Sequence, residues 1–434
     1  METPFISIFL HPSFGHRDKK RKMRLWGSIF LVIFLIYERK IYFKVSAEDG
    51  FVSTEGVHFM LNGTPFYANG FNAYWLMYLA SDKSQRNKVS SAFEEAANHG
   101  LAIARTWAFG DGGYFSLQYS PGSYNEQMFQ GLDFVISEAG RYGMKLILSL
   151  VNNYEDCGGK KRYVEWARNQ GQHMSSDDDF FTNSLVKGYY RNHIKVVLTR
   201  QNSITGVAYR DDPTIMAWEL MNEPRCANDE SGRTIQAWIS EMASYLKSID
   251  TNHLLEAGLE GFYGQSDSQK QQNNPYFQVG TDFISNNQIP HIDFATVHSY
   301  PDQWLTSESD EAQLSFLSNW LESHIQDAHD ILQKPLLFAE FGKSSRDPGY
   351  DTNKRDELLS VVYSAIYSSA TGGGAAAGGL FWQLLTEGMD NFRDGYEIIF
   401  NESPSTDGVI VEQSSKLNKI RRMYARMRNS SECT

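Results

Sequence analysis

TIMAWELMNEP, residues 214–224, is the stretch on which the fold turns. Ile215, Met216, Ala217 and Trp218 make an apolar run, and Asn222 and Glu223 follow directly before Pro224, where any regular element must stop. A buried strand that delivers an amide and a carboxylate at its exit is half of an acid/base site.

Outward from this stretch the same design recurs. Apolar runs at 65–72, 102–107, 145–151, 215–220, 253–258, 294–297, 335–339 and 379–383 predict eight strands. Between them the period changes. Met128, Leu132, Val135, Ala139 and Tyr142 share one helical face, and Gly143 stands where a C-terminal cap belongs. Ile235 to Leu246, Leu314 to Ala328 and Leu358 to Ala365 repeat that spacing after strands four, six and seven. No proline-rich linker or charge block interrupts the series. Repeated βα units predict α/β architecture, a single (β/α)8 TIM barrel over 48–434. An open doubly wound sheet would be expected to carry a glycine fingerprint, which is missing.

Three segments are less regular. The polar stretch 261–290 is expected to be a loop at the barrel mouth, with a disordered insertion as the alternative. TGGGAAAGG at 371–379 is expected to be a close-packed turn into strand eight. Leu417, Ile420, Tyr424 and Met427 predict a last helix over 416–428.

A barrel places its chemistry at strand C-termini. There the sequence puts Asn72; Arg105 and Trp107; Asn152 and Asn153; Asn222 and Glu223; Glu260; His298 and Tyr300; Glu340; and Trp382. Glu223 and Glu340 end strands four and seven, so their carboxyl groups can flank a bound sugar. Each alone is equally readable as a surface charge or ion-pair member. Arg105 can hold one carboxylate ionised by bidentate hydrogen bonding, or serve as a structural partner. Asn222 can reach a sugar hydroxyl or close the turn before Pro224. His298 and Tyr300 carry donors that orient a carboxylate, although a histidine on an apolar strand is also a common core residue. Trp107 and Trp382 offer flat faces for a pyranose ring, or core packing.

The bulk properties exclude several classes. A formal charge of -12 over 434 residues argues against a nucleic-acid partner, which requires a basic face. There is no HExxH, no CxxC pair and no metal-spaced histidine cluster, so no metal or cofactor is expected. Gly342-Lys343-Ser344 lacks the upstream glycine of a phosphate loop, since Leu337 occupies that place. Cys157 and Cys226 follow adjacent strands, so a bridge between them is geometrically open; Cys433 stands apart.

The N-terminus differs from the rest. RDKKRKMR at 17–24 precedes an apolar run at 25–37, the anatomy of a secretory signal over 1–47. An uncleaved membrane anchor is the alternative, and membrane contact is expected only there. Sequons at Asn62, Asn401 and Asn429 fit a secreted glycoprotein, yet Asn62-Gly63 is itself a hairpin signal. A monomer is expected.

WELMNEP at 218–224, VHSYP at 297–301, FAEFG at 338–342, IARTWAF at 103–109 and FWQL at 381–384 occur in an order that resembles glycoside hydrolase family 5. NNYEDCGGKKRYVEWA at 152–167 and DDPTIMAWELMNEPRC at 211–226 look like the plant endo-β-1,4-mannanase versions of those loops. The resemblance covers nearly all of 50–428. It implies Glu223 as acid/base and Glu340 as nucleophile of a retaining enzyme, with Arg105, Asn222, His298, Tyr300 and Trp382 in support. Trp107, Asn153 and Glu260 complete the expected binding set. It implies hydrolysis of β-mannans in the cell wall, with transglycosylation open. Tyr154 stands where a tryptophan is expected, so an altered distal sugar subsite is anticipated. A β-1,4-glucanase on the same fold and a barrel that binds carbohydrate without cleaving it are the alternatives.

Overall fold

The computed structural model describes residues 50–113 and 116–431. The N-terminal segment expected to direct secretion, and Cys433, lie outside them.

Eight parallel strands form the central sheet: β1 (Ala68–Asn72), β2 (Ile103–Trp107), β3 (Lys145–Ser149), β4 (Ile215–Glu219), β5 (Leu254–Glu256), β6 (Ala295–Ser299), β7 (Leu336–Phe341) and β8 (Ala376–Phe381). They neighbour one another in the order β5-β4-β3-β2-β1-β8-β7-β6. The remaining seam, between β5 and β6, is bridged rather than laddered. Asp293 N donates to Leu255 O at 2.8 Å, and His298 N donates to Glu260 O at 2.9 Å. Those bonds close the ring into the expected (β/α)8 barrel.

Each strand runs from an apolar base to a polar rim. Ile103, Ile147, Ala217, Leu254, Leu337 and Leu380 share one buried cluster with Val52, Phe59 and Phe66. Phe59 belongs to a small antiparallel sheet (Ser53–Glu55, His58–Leu61, Thr64–Pro65) and meets Phe294 edge-on at 5.0 Å. This sheet stops the end of the barrel where the strands begin. Asn62 and Gly63 both adopt positive φ, 51° and 67°, in its turn, as an Asn-Gly pair between short strands predicts.

The helices form where the spacing predicts. Glu126–Arg141 is capped by Asn125, whose Oδ1 accepts from Gln127 N and Met128 N, a cap worth about 1 kcal/mol. Its inward residues Met128, Leu132, Val135 and Ala139 are buried. Arg233–Lys247, Asp310–Asp327 and Thr352–Thr371 follow β4, β6 and β7.

Four expectations change. β5 ends at Glu256, two residues early, because Gly258 turns the chain at φ +83°, and a Cβ there would lie 1.7 Å from Met221 O. β8 begins at Ala376, so the last four residues of the glycine-rich stretch are strand rather than turn. Gly378 sits inside it because a Cβ would lie 1.9 Å from Ala68 O of the neighbouring strand. The 261–290 stretch is ordered, with short 3-10 turns and one helix, Phe283–Asn287, in place of a full crossover helix. Asp282 anchors it by capping that helix and accepting from Ser266 N at 2.7 Å. The last helix spans Pro404–Ser431; Leu417 and Ile420 are buried, but Met427 is 49% exposed.

Candidate active site

Arg105 is the hub. It is fully buried at the middle of β2 and reaches four side chains. Its Nε and Nη2 donate to the two oxygens of Glu219, at 2.5 and 2.7 Å. Nη2 also donates to Asn222 Oδ1 at 2.7 Å, while Nη1 donates to Asn72 Oδ1 at 3.0 Å and to Glu340 Oε1 at 2.5 Å. The bidentate partner is therefore Glu219, and Glu340 receives a single bond. Trp107 lies below the guanidinium, its ring centroid 4.9 Å from Cζ.

The two glutamates stand across the mouth from one another, each with its own support. Tyr300 donates to Glu340 Oε2 at 2.8 Å. His298 Nδ1 is hydrogen-bonded to Glu223 Oε1 at 2.5 Å, and the Tyr154 hydroxyl bonds the same carboxyl group. One oxygen of each glutamate and a ring nitrogen of His298 all lie within 4.8 Å of one another. A divalent cation could be held at such a spacing, but these atoms are already engaged with Arg105, Tyr300, Tyr154 and each other, as an acid/base pair requires. Glu223 adopts φ +50°, a left-handed backbone that costs a non-glycine residue about 1–3 kcal/mol. Its amide is held by Gly258 O at 2.9 Å.

A cleft of about 640 Å³ opens above the pair, lined among others by Trp107, Asn222, Glu260, Tyr300 and Trp382. Trp382 Nε1 donates to Asp394 Oδ2 at 2.6 Å, which fixes the indole face. Glu260 forms a bidentate pair with Arg225 at 2.7 and 2.6 Å. Asn153 is beside the cleft rather than in it: its Oδ1 accepts from Arg225 N at 3.2 Å, and Asn152 lines the wall instead.

The family model described as GH family 5 beta-mannosidase-like matches residues 49–390. The chain belongs to glycoside hydrolase family 5.

Among its relatives, mannan endo-1,4-beta-mannosidase 7 of Arabidopsis thaliana is 65% identical over 380 residues, 88% of each chain. Mannan endo-1,4-beta-mannosidase 1 of Oryza sativa subsp. japonica is 63% identical over 384 residues, 88% of this chain and 89% of that one. A solved hyperthermostable endo-1,4-beta-D-mannanase from Thermotoga petrophila RKU-1 superposes with a TM-score of 0.70 at 31% identity, covering 81% of this chain and 99% of its own.

Burial sets the electrostatics of this family 5 glycosidase. It raises the pKa of both Glu223 and Glu340 above the usual carboxylate value. His298, Arg105 and Tyr300 oppose the rise at Glu340; Arg225, Tyr154 and Arg105 oppose it at Glu223. The charge of Glu223 adds to the rise at Glu340, and that of Glu219 adds to the rise at Glu223. Glu340 bonds a full guanidinium at 2.5 Å, a contact that favours its charged form. Glu260 is pushed up to about 7 by burial and by Glu223, against the pull of Arg225.

Behind the cleft lies a layer that the sequence reading passed over. Burial works against the charge on Glu219, yet Arg105 brings its pKa down to about 2. Glu256, its register partner on β5, is held well above its usual value by burial and by Glu219. One of these neighbouring carboxyls is thus ionised and the other neutral. The signal was a charged residue inside an otherwise apolar strand at Glu219 and again at Glu256. Tyr154 was expected at a distal subsite, but it contacts Glu223 directly. Arg225, Asp394, Tyr396 and Tyr74 also line the cleft from loops, and Trp304 from the one-turn helix Pro301–Trp304, none with a periodic signal.

Proposed function

We propose that this enzyme is a retaining endo-β-1,4-mannanase, with Glu340 as nucleophile and Glu223 as acid/base. The observation that carries the reading is the pair of carboxylate oxygens within 4.8 Å. Retaining glycosidases place their carboxyls about 5 Å apart, whereas inverting ones leave about 6.5–9.5 Å for a water between them. Glu340, held ionised by Arg105 and Tyr300, attacks the anomeric carbon from one face. Protonated Glu223 gives its proton to the departing glycosidic oxygen, and a glycosyl–Glu340 ester forms as that bond breaks. Glu223, now a carboxylate, takes a proton from water, whose oxygen displaces Glu340 from the sugar. A sugar hydroxyl in place of water gives transglycosylation by the same step.

The mannan preference is supported by the mannan endo-1,4-beta-mannosidases to which the chain is similar. Secretion is supported by the basic stretch at 17–24 and the apolar run at 25–37, and action on wall mannan follows from that reading. The test compares residues 48–434 on mannan, glucomannan and cellulose with Glu223→Ala and Glu340→Ala. Cleavage of mannan ahead of cellulose, lost in both variants, is expected. Faster cellulose cleavage, or an active variant, would overturn it.

A further inference from the structure

Cys157, Gly158 and Gly159 adopt three positive φ values in a row, 60°, 99° and 59°, between Tyr154 and the helix Gly159–Asn169. A cysteine enters that region only where its surroundings impose it. Asp111, which follows β2, clasps the turn from one side. Its N–H donates to Cys157 O at 2.7 Å, and its carbonyl oxygen lies where a Cβ on Gly158 would come within 2.0 Å of it. Tyr154 O crowds Gly159 to the same degree from the other side, 2.0 Å from where a Cβ would stand. Asp111 and Tyr154 are thus joined through one turn, and the Tyr154 hydroxyl bonds Glu223.

The side chain of Asp111 has no part in the mechanism so far. It is 1% exposed; Oδ1 accepts from Gln118 Nε2 at 3.4 Å, and Oδ2 has no hydrogen-bond partner among the described residues. The helix that begins at Gly159 has glycine at its cap position, so it has no side chain of its own there to satisfy its first N–H groups. The Asp111 carboxyl group faces the Gly159 N–H instead. Burial outweighs the pull of Gln118, Tyr163, Gly159 and Arg162, and pushes this acid up to about 8. Tyr124, Cys157, Tyr163 and Tyr190 around it are raised by burial and stay neutral. His193, behind Tyr124, is lowered to about 4 and is neutral too. Arg162 supplies the cation, already paired with Glu165 at 2.8 Å.

We propose that Asp111 is a positioning residue for the reaction: it pins the turn at 157–159 and, through that turn, holds the Tyr154 hydroxyl on the acid/base Glu223. The proposal rests on the mannanase reading, in which Glu223 must be protonated to act. Asp111 does this as an uncharged acid, the form that such a buried site tolerates.

The experiment follows kcat/KM on mannan against pH, with melting temperatures alongside. Asp111→Ala frees Tyr154 from Glu223 and is expected to move the alkaline limb up by about 0.5–1 unit, the worth of one hydrogen bond to a carboxylate. Tyr154→Phe moves it in the same direction, and the double variant shifts no further than either one. Asp111→Asn keeps the shape and the neutral state, and with them the wild-type limb. The folded protein keeps the Asp111 proton up to about 8 while the unfolded chain sheds it near 3.8, so the wild type loses stability relative to Asp111→Asn as pH rises across that window. Gln118→Ala loosens the same carboxyl group and shifts the limb upward by less, which keeps the test open should Asp111→Ala fail to fold. An unmoved limb in Asp111→Ala and Gln118→Ala, an additive shift in the double variant, or an Asp111→Asn limb that moves as far as that of the alanine variant would overturn the proposal. A wild type inactive on mannan, or a fully active Glu223→Ala, would instead overturn the mannanase reading.

Discussion

Arg105 donates to Glu340 at 2.5 Å with Nη1 while its Nε and Nη2 grip Glu219 at 2.5 and 2.7 Å. The guanidinium is thus locked from behind by a carboxylate that no substrate touches, and only its remaining edge faces the reaction. Lysine has one nitrogen and no fork, so it cannot keep both contacts. Arg105→Lys is expected to lower kcat on mannan by about 100-fold or more, with a smaller effect on KM. Steady-state kinetics checks this, and a loss confined to KM would contradict it.

Glu219 and Glu256 are neighbours in register, both buried, and only one carries charge. Glu256→Gln replaces a neutral acid by a neutral amide, so its melting temperature and activity should stay close to the wild type. Glu219→Gln leaves Arg105 buried with one charged partner fewer and should cost about 3–5 kcal/mol. Chemical denaturation of the two variants distinguishes them. Equal losses would show that the charge sits on Glu256 instead.

In the proposed double displacement, activity needs Glu340 ionised and Glu223 protonated. It is lost on the acid side as Glu340 takes a proton, and on the alkaline side as Glu223 loses one. Burial raises Glu223, which moves the alkaline limb upward. Tyr154 bonds the carboxyl and favours its charged form, so it works against that rise. Tyr154→Phe should therefore shift the alkaline limb of kcat/KM to still higher pH. A downward shift in the pH–rate profile would contradict the assigned bond.

Gly258 carries a backbone load. Its φ is +83°, a Cβ would meet Met221 O at 1.7 Å, and its own carbonyl holds Glu223 N. Gly258→Ala should destabilise the barrel by more than about 2 kcal/mol and lower kcat in whatever folds. Calorimetry with activity per folded molecule reads both effects.

The barrel was legible because its strands are apolar runs separated by stretches of helical period, and helices such as Glu126–Arg141 advertise both cap and face. The rim residues were legible because polar groups at strand exits have no packing reason to gather there. What escaped depended on contacts between distant segments. The Arg105–Glu219 pair joins residues 114 positions apart, and nothing near either one announces the other. Gly258 looked like strand because only the approach of Met221 forces it out of the β region. The crossover at 261–290 gave no helical period because side chains such as Asp282 hold it through turns.

The account stands or falls on which glutamate forms the bond to sugar. A 2-deoxy-2-fluoro-mannosyl fluoride slows departure of the glycosyl group and traps it on the nucleophile, so that peptide mapping by mass spectrometry locates the label. The label is predicted on Glu340, within the peptide that carries FAEFG at 338–342. A label on Glu223, or turnover of mannan with no trapped ester, would contradict the double displacement.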